Sequence, residues 1–336
     1  MSDIPLLEGR ELAVEYGREA GLLRRGDRFR ALDGAIFVLG QGESLAIVGE
    51  SGSGKSTLAR AALRLVPLAA GQVLLRGEDL AILDAAELRQ RRRDLQLIFQ
   101  DPLACLDPRM RIVEILAQPL RVFEPALDAA ERRQRAATAL EAVGLDVAML
   151  ERYPHQFSGG QAQRIGIARA LIANPAVLVC DEPVSALDVS IRAQVLDLLA
   201  GERARRGLAL LFIAHDLSAV RFLCERTLVL YRGQVMEQGA TTEIFAAPRH
   251  PYTRSLLAAA LVADPRLARR RPRGAPGMTA AAGTVPAAPA TAAKVAGPAC
   301  VFAARCAQVE ARCLVERPRP RDISGVSVAC HRAGAI

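Results

Sequence analysis

Apolar residues in this chain gather into short dense runs, and several of those runs end at a residue with chemistry to offer. Ser44 to Gly49 reads SLAIVG, and Ala176 to Cys180 reads AVLVC. Each stays apolar instead of alternating with polar positions, which predicts strands covered on both faces, as in a parallel sheet. Residues 209–213 predict another strand. Between the runs the period changes to that of a helix. Leu58 to Leu65 (LARAALRL), Ala162 to Leu171 (AQRIGIARAL) and residues 190–205 and 217–223 read as helices. Further helices are expected over 110–122 and 128–143, the second ended by Gly144 as a C-cap. LVLYRGQVMEQG predicts a hairpin turning at Arg232-Gly233. Strand and helix in alternation predict an α/β fold, and 336 residues suffice for one large α/β domain with an appendage.

The segment that joins the first strand to its helix carries the clearest chemistry. It reads GESGSGKST, Gly49 to Thr57, with Gly49, Gly54, Lys55 and Ser56 at P-loop spacing. Phosphate oxygens need several N–H donors converging on a small volume, and glycines such as Gly52 let the backbone curl that closely. The helix that follows offers its N-terminal N–H groups and dipole to the same anion. Lys55 is expected to reach the β/γ-phosphates, and the Ser56 hydroxyl to bind Mg²⁺. Ser51 and Thr57 complete the cradle. A strand before and a helix after are what separate this motif from a flexible Gly/Ser loop.

The run AVLVC ends in Asp181-Glu182. Carboxylates at the C-terminal edge of a parallel strand lie where ligands bind in open α/β sheets. Asp181 suits the Mg²⁺ shell, and Glu182 suits a general base for an attacking water. FSGGQ, Phe157 to Gln161, is a third signal: Ser158 suits a helix N-cap and the glycines allow close approach. On its own it is one more capped helix.

The order of motifs says more. P-loop, IFQDP with Gln100, SGGQ, CDEP, SALD with Asp188 and FIAHD with His215 together resemble the ATP-binding subunit of an ABC transporter, over roughly residues 5–260. The resemblance implies a P-loop NTPase domain with an antiparallel β subdomain, a helical subdomain over 86–160, and a head-to-tail dimer sandwiching two ATP molecules. Ser158, Gly160 and Gln161 would contact the partner's ATP, and Asp188 would organise the dimer contact. His215 would contact the γ-phosphate, and Gln100 would couple Mg²⁺ and water to the membrane subunits. Tyr16, in ELAVEYG, is the position for adenine stacking, with Phe29 as its rival. LIFQDPLACLDPRM, YPHQFSGGQAQRIGIARAL and APRHPYTRSLLAA narrow the resemblance to the oligopeptide, dipeptide and nickel importers, with HPYT (His250 to Thr253) the most telling string. Cys105 stands where that family usually has Ser, and Ala162 where Arg is usual; neither position carries a catalytic role. Implied partners are a second ATP-binding subunit, two permease subunits and, indirectly, an extracytoplasmic solute-binding protein.

Composition bounds the rest. Net charge is +8, much of it in clusters such as Arg91–Arg93 and Arg269–Arg273. Such clusters fit a solvated face, or attraction to an anionic leaflet, and no nucleic-acid partner is expected. No secretory signal is visible at the start, and Gly274 to Ala293, though free of charge, contains Pro276, Pro286 and Pro289, which argues against spanning a membrane. The expected location is peripheral, at the cytoplasmic face of the inner membrane. After a domain ending at 261, residues 262–298 are rich in Ala, Pro, Gly and Arg and are expected to be a disordered linker.

Of seven cysteines, four fall in the last 37 residues: Cys300, Cys306, Cys313 and Cys330, with five, six and sixteen residues between them. In a reducing compartment, clustered cysteines are more often metal ligands than disulfides. A [4Fe–4S] cluster, zinc, and free structural thiols are the three readings. The 299–336 segment resembles the C-terminal extension of peptide-importer ATPases, some of which hold such a cluster.

Overall fold

A computed structural model describes residues 4–17, 29–263 and 299–334. Strands β1 (Leu7–Tyr16) and β2 (Phe29–Leu39) pair antiparallel. β3 (Ser44–Val48) then enters a second sheet and runs through the P-loop into helix α1 (Lys55–Ala62). β4 (Ala70–Leu75) and β5 (Glu78–Asp79) return to the first sheet, giving the order β2-β1-β4-β5. Helix α2 (Ala85–Arg91) leads to β6 (Leu95–Ile98), which lies back in the second sheet. A helical stretch follows: α3 (Ile112–Phe123), α4 (Ala129–Ala142) and α5 (Gly159–Leu171). The chain then alternates through β7 (Val177–Asp181), α6 (Val189–Arg206), β8 (Ala209–Ile213) and α7 (Leu217–Leu223). It ends the main body with β9 (Arg226–Tyr231), β10 (Gln234–Ala240), α8 (Thr241–Ala246) and α9 (Pro251–Ala263). The tail adds β11 (Arg321–Ile323) and β12 (Val326–Val328).

The second sheet has the order β11-β12-β10-β9-β3-β8-β7-β6. It is parallel from β9 through β3, β8 and β7 to β6 at one edge. Every residue of β3, β7 and β8 is buried, which is why these strands read as unbroken apolar runs. One core lies between the two sheets, with α1 packed there through Leu58, Ala59, Ala61 and Ala62 against Leu32, Phe37 and Ile47. The other core fills the far side, where α3, α4, α5 and α6 bring Leu116, Leu140, Ile165 and Leu199 together with Phe212.

Local signals set most element ends. Asp128 caps α4 by accepting from the Glu131 N–H, and Glu131 reaches back to the Asp128 N–H, a reciprocal capping box. The helix stops at Gly144, where φ is +75° and the Gly144 N–H donates to Glu141. The hairpin between β9 and β10 turns at Arg232 and Gly233, both at positive φ, as a two-residue turn between twisted strands needs.

The structure moves some expected boundaries. The P-loop helix begins at Lys55, not Leu58, so the lysine sits in the first turn. Asp181 is the last residue of β7 rather than the residue after it. The segment 86–160 holds, besides its helices, strand β6 in the main sheet. Most of the expected linker, residues 264–298, lies outside the described residues, and α9 continues to Ala263. Among the described residues no helix is long and apolar enough to cross a membrane.

Candidate nucleotide site

The P-loop leaves β3 at Gly49, whose φ is +156° and where a Cβ would stand 2.2 Å from the Leu230 carbonyl oxygen. At Gly54 φ is +107° and a Cβ would meet the Ala31 carbonyl oxygen at 2.7 Å. These two glycines are therefore fixed by backbone approach from β9 and β2. Lys55 is buried, and its Nζ donates to the carbonyls of Gly49 (2.9 Å) and Glu50 (3.0 Å). Burial lowers the Lys55 pKa, while Glu182, Asp181 and Glu50 pull it back up. Ser53 Oγ is buried with no hydrogen-bond partner among the described residues. A buried hydroxyl left unpaired beside a lysine and a helix N-terminus fits a site for a phosphate anion. Ser51 and Gly52 are exposed at the tip, and Ser56 and Thr57 are half-buried at the start of α1.

Ser56 Oγ donates to Asp181 Oδ1 at 3.0 Å, across 125 residues of sequence. Two oxygen donors of that kind, one hydroxyl and one carboxylate, fit the protein side of a Mg²⁺ shell that also takes phosphate oxygens. Burial raises the Asp181 pKa, opposed by the Ser56 hydrogen bond and by Arg60.

Glu182 sits beside them in a left-handed backbone conformation, φ +49°, held by its N–H on the Ile213 carbonyl (3.0 Å) and by Ser185 Oγ on its own carbonyl (3.1 Å). A non-glycine residue there carries about 1–3 kcal/mol of strain, which the surrounding contacts must hold. One carboxylate oxygen, Oε2, receives Gln100 Nε2 at 3.1 Å and lies 3.4 Å from His215 Nδ1. Gln100, Glu182 and His215 thus meet at the C-terminal ends of β6, β7 and β8. The arrangement can orient a water near Glu182 and present an exposed imidazole to a terminal phosphate.

The chain is similar to known proteins. An ABC transporter family model matches residues 32–185, and a model for the oligopeptide/dipeptide transporter C-terminal region matches residues 236–313. An oligopeptide transport ATP-binding protein OppF of Haemophilus influenzae is 43% identical over 317 residues, covering 93% of this chain and 92% of the relative. The chain belongs to the ATP-binding subunits of the oligopeptide/dipeptide ABC transporter family. The OppF of Escherichia coli is 50% identical over 242 residues, 72% of each chain, and a putative peptide import ATP-binding protein of Brucella ovis is 44% identical over 335 residues, 99% of each. Among solved structures, a dimeric post-hydrolysis form of the ATP-binding cassette MJ0796 with ADP and phosphate superposes at TM-score 0.63 and 30% identity, over 70% of this chain and 98% of that one. The fold is the P-loop ABC ATPase fold, and the chain is an ATPase of that family.

The family's other motifs can be placed on this chain. Ser158 is the N-cap of α5: its Oγ accepts the Gln161 N–H at 3.3 Å, and Gln161 Oε1 accepts the Ser158 N–H at 3.1 Å. Ser158 and Gly159 are exposed. Gly160 faces the other way, since a Cβ there would stand 2.5 Å from Ile191 Cγ2 in α6, whereas one on Gly159 would meet nothing. Close packing of α5 on α6 therefore accounts for Gly160, and Gly159 is the glycine with open space before it. Asp188 is exposed and precedes α6. Tyr16 and Phe29, the two contenders for adenine, are direct cross-strand partners at the end of the β1–β2 pair, 40% and 63% exposed.

The cysteine tail docks on the main body. Cys300, Cys306, Cys313 and Cys330 line one small cavity together with His250 and Phe302. Among the described residues no group of three or more side chains is set to hold a metal ion. Burial raises the pKa of Cys300, Cys306 and Cys330, and neighbouring thiols of the cluster raise them further. The HPYT string is the junction: Tyr252 N–H donates to His250 Nδ1 at 3.0 Å, and Glu237 accepts the N–H groups of Arg249 (2.7 Å) and His250 (3.0 Å). Sequence reading flagged this string but gave it no job. It missed Ser53 altogether, whose only signal was its place inside the loop.

Proposed function

We propose that this chain is the ATP-hydrolysing subunit that energises peptide import, dipeptide or oligopeptide and on the same scaffold nickel, through an ABC transporter membrane complex. The observation that carries the reading is the meeting of Ser56 with Asp181 and of Gln100 and His215 with Glu182 at one sheet edge. Gly49, Ser51, Gly52, Gly54, Lys55, Ser56 and Thr57 hold the phosphates of ATP. Ser56, Asp181 and Gln100 hold Mg²⁺, and Tyr16 stacks the adenine. Glu182 takes the proton of the attacking water, and His215 steadies the γ-phosphate. Ser158, Gly160, Gln161 and Asp188 close on a second ATP-binding subunit, like or identical. Two permease subunits and, beyond them, a solute-binding protein complete the complex, which places the chain at the cytoplasmic face of the membrane. The cargo reading is supported by the relatives' names and by the C-terminal model match.

Lys55→Ala is the direct test of the nucleotide site. It removes a buried charge-assisted partner of the phosphates, so Mg·ATP binding should weaken at least tenfold and turnover should vanish. Normal affinity and normal hydrolysis in that variant would refute the site.

The tail is assigned a [4Fe–4S] cluster on Cys300, Cys306, Cys313 and Cys330. Four thiols in one short segment match the ligand number of such a cluster, which would staple a segment too short for a core of its own, although among the described residues they are not gathered to hold a metal ion. Iron and sulfide analysis of anaerobically purified protein, with and without Cys306→Ser, tests it. Stoichiometric zinc, or four reactive thiols and no metal, would overturn it.

A further inference from the structure

The second residue of the P-loop, Glu50, is gripped from outside the nucleotide motifs. Its carboxylate takes both terminal nitrogens of Arg305, Nη1 to Oε2 at 2.7 Å and Nη2 to Oε1 at 2.9 Å, across 255 residues of sequence. Its backbone N–H donates to Tyr252 Oη at 2.9 Å, and Tyr252 is fully buried. Its carbonyl accepts from Lys55 Nζ at 3.0 Å. Arg305 lies on a short 3-10 turn, residues 303–305, inside the cysteine tail. The guanidinium rests 5.7 Å from the Tyr231 ring and 5.9 Å from the Phe302 ring, and Nη1 also reaches Tyr231 Oη at 3.4 Å. A two-pronged pair seated on aromatic faces holds its geometry better than an exposed ion pair.

Docking of the tail does not need this contact. The Phe302 ring sits 5.4 Å from Tyr231, 5.5 Å from Tyr252 and 5.8 Å from His250. β12 pairs with β10, and Arg317 donates to Asp33 Oδ2 (2.9 Å) and to the Asp33 carbonyl (2.7 Å). What Arg305 adds is at Glu50: it cancels a negative charge beside the lysine that must greet a triphosphate, and it fixes the loop residue that carries it. We propose that Arg305 is a positioning residue for the P-loop, acting through Glu50 to set the affinity for Mg·ATP, so that the seated tail supports the nucleotide site. The inference rests on the P-loop being the ATP site, as assigned above.

The test is equilibrium binding of Mg·ATP to the full-length chain carrying Arg305→Ala, Glu50→Gln, or both, with Lys55→Ala alongside. Arg305→Ala should weaken binding about five- to tenfold, within the range of measured couplings between contacting residues. The double variant should recover most of that loss, because the uncancelled carboxylate is gone; a residue that merely anchors the tail would give no such rescue. If Arg305→Ala unfolds the tail, Arg305→Lys keeps the charge without the two-pronged grip and should show a smaller loss that grows with salt. Wild-type affinity in Arg305→Ala and Arg305→Lys, or a double variant as weak as Arg305→Ala alone, overturns the proposal. Unchanged affinity in Lys55→Ala would instead overturn the site assignment, so the two failures are distinct.

Discussion

Glu182 concentrates the chemistry into one carboxylate oxygen. Oε2 is shared by Gln100 and sits within reach of His215, and the backbone is held in a left-handed turn to put it there. Glu182→Gln keeps the size and the hydrogen bonding but removes the base. Turnover should fall about 10²–10⁴-fold while Mg·ATP binding stays intact. Phosphate release and nucleotide affinity, measured on the same preparation, check both halves of that statement. The partial strain at this residue has a second meaning. The site is built from a conformation that only surrounding contacts maintain, so Ser185 and the Ile213 carbonyl matter to the chemistry without touching substrate.

At the scale of elements, the start of α9 is a joint that responds to pH. Burial lowers the His250 imidazole from its ordinary value to about 4, with a hydrogen bond to the Ala329 backbone opposing the shift. Its neighbours are the Glu237 carboxylate, which takes backbone N–H groups, and the Tyr252 N–H, which needs Nδ1 unprotonated. The unfolded chain protonates His250 below about pH 6.5, and the folded chain resists until about pH 4. The unfolded state therefore binds the extra proton in that window, and stability is lost as pH falls through it. About 2 kcal/mol should disappear between pH 7 and pH 5 from this group. Urea midpoints across that range should drop less for His250→Gln than for wild type.

β3, β7 and β8 were legible because full burial leaves an unbroken apolar run, and their chemistry was legible because it sits in the residues that follow at once. β6 was not: its four residues, LQLI, include a polar Gln96 and have the length of a loop. The tail's strands escaped notice because three residues such as VSV carry no period, and their partner β10 lies some 90 residues upstream. Glu182 came from the end of its strand and Gln100 and His215 from the order of motifs, whereas the pairing of Arg305 with Glu50 has no local signature at all.

For the whole molecule, the predicted event is closure of two subunits on ATP. Ser158 is exposed, and among the described residues its side chain does no more than cap α5. Replacing it by Arg costs about 1 kcal/mol of capping and leaves the fold standing. Ser158→Arg, combined with Glu182→Gln to prevent turnover, should bind ATP as a monomer and fail to dimerise. Light scattering with and without Mg·ATP reads this directly, and dimers at wild-type yield would count against the sandwich.

The order of strands across the large sheet carries a consequence for biogenesis. β10 leaves the ribosome with one edge paired to β9 and the other bare, and the strand that covers it, β12, is made some 86 residues later. At roughly 5–20 residues per second, that edge stays uncovered for on the order of ten seconds. An unpaired strand edge is a template for a neighbouring chain. The nascent cassette is thus most prone to sticking to its fellows on a polysome in the interval between β10 and β12, and β12 covers that edge when it pairs.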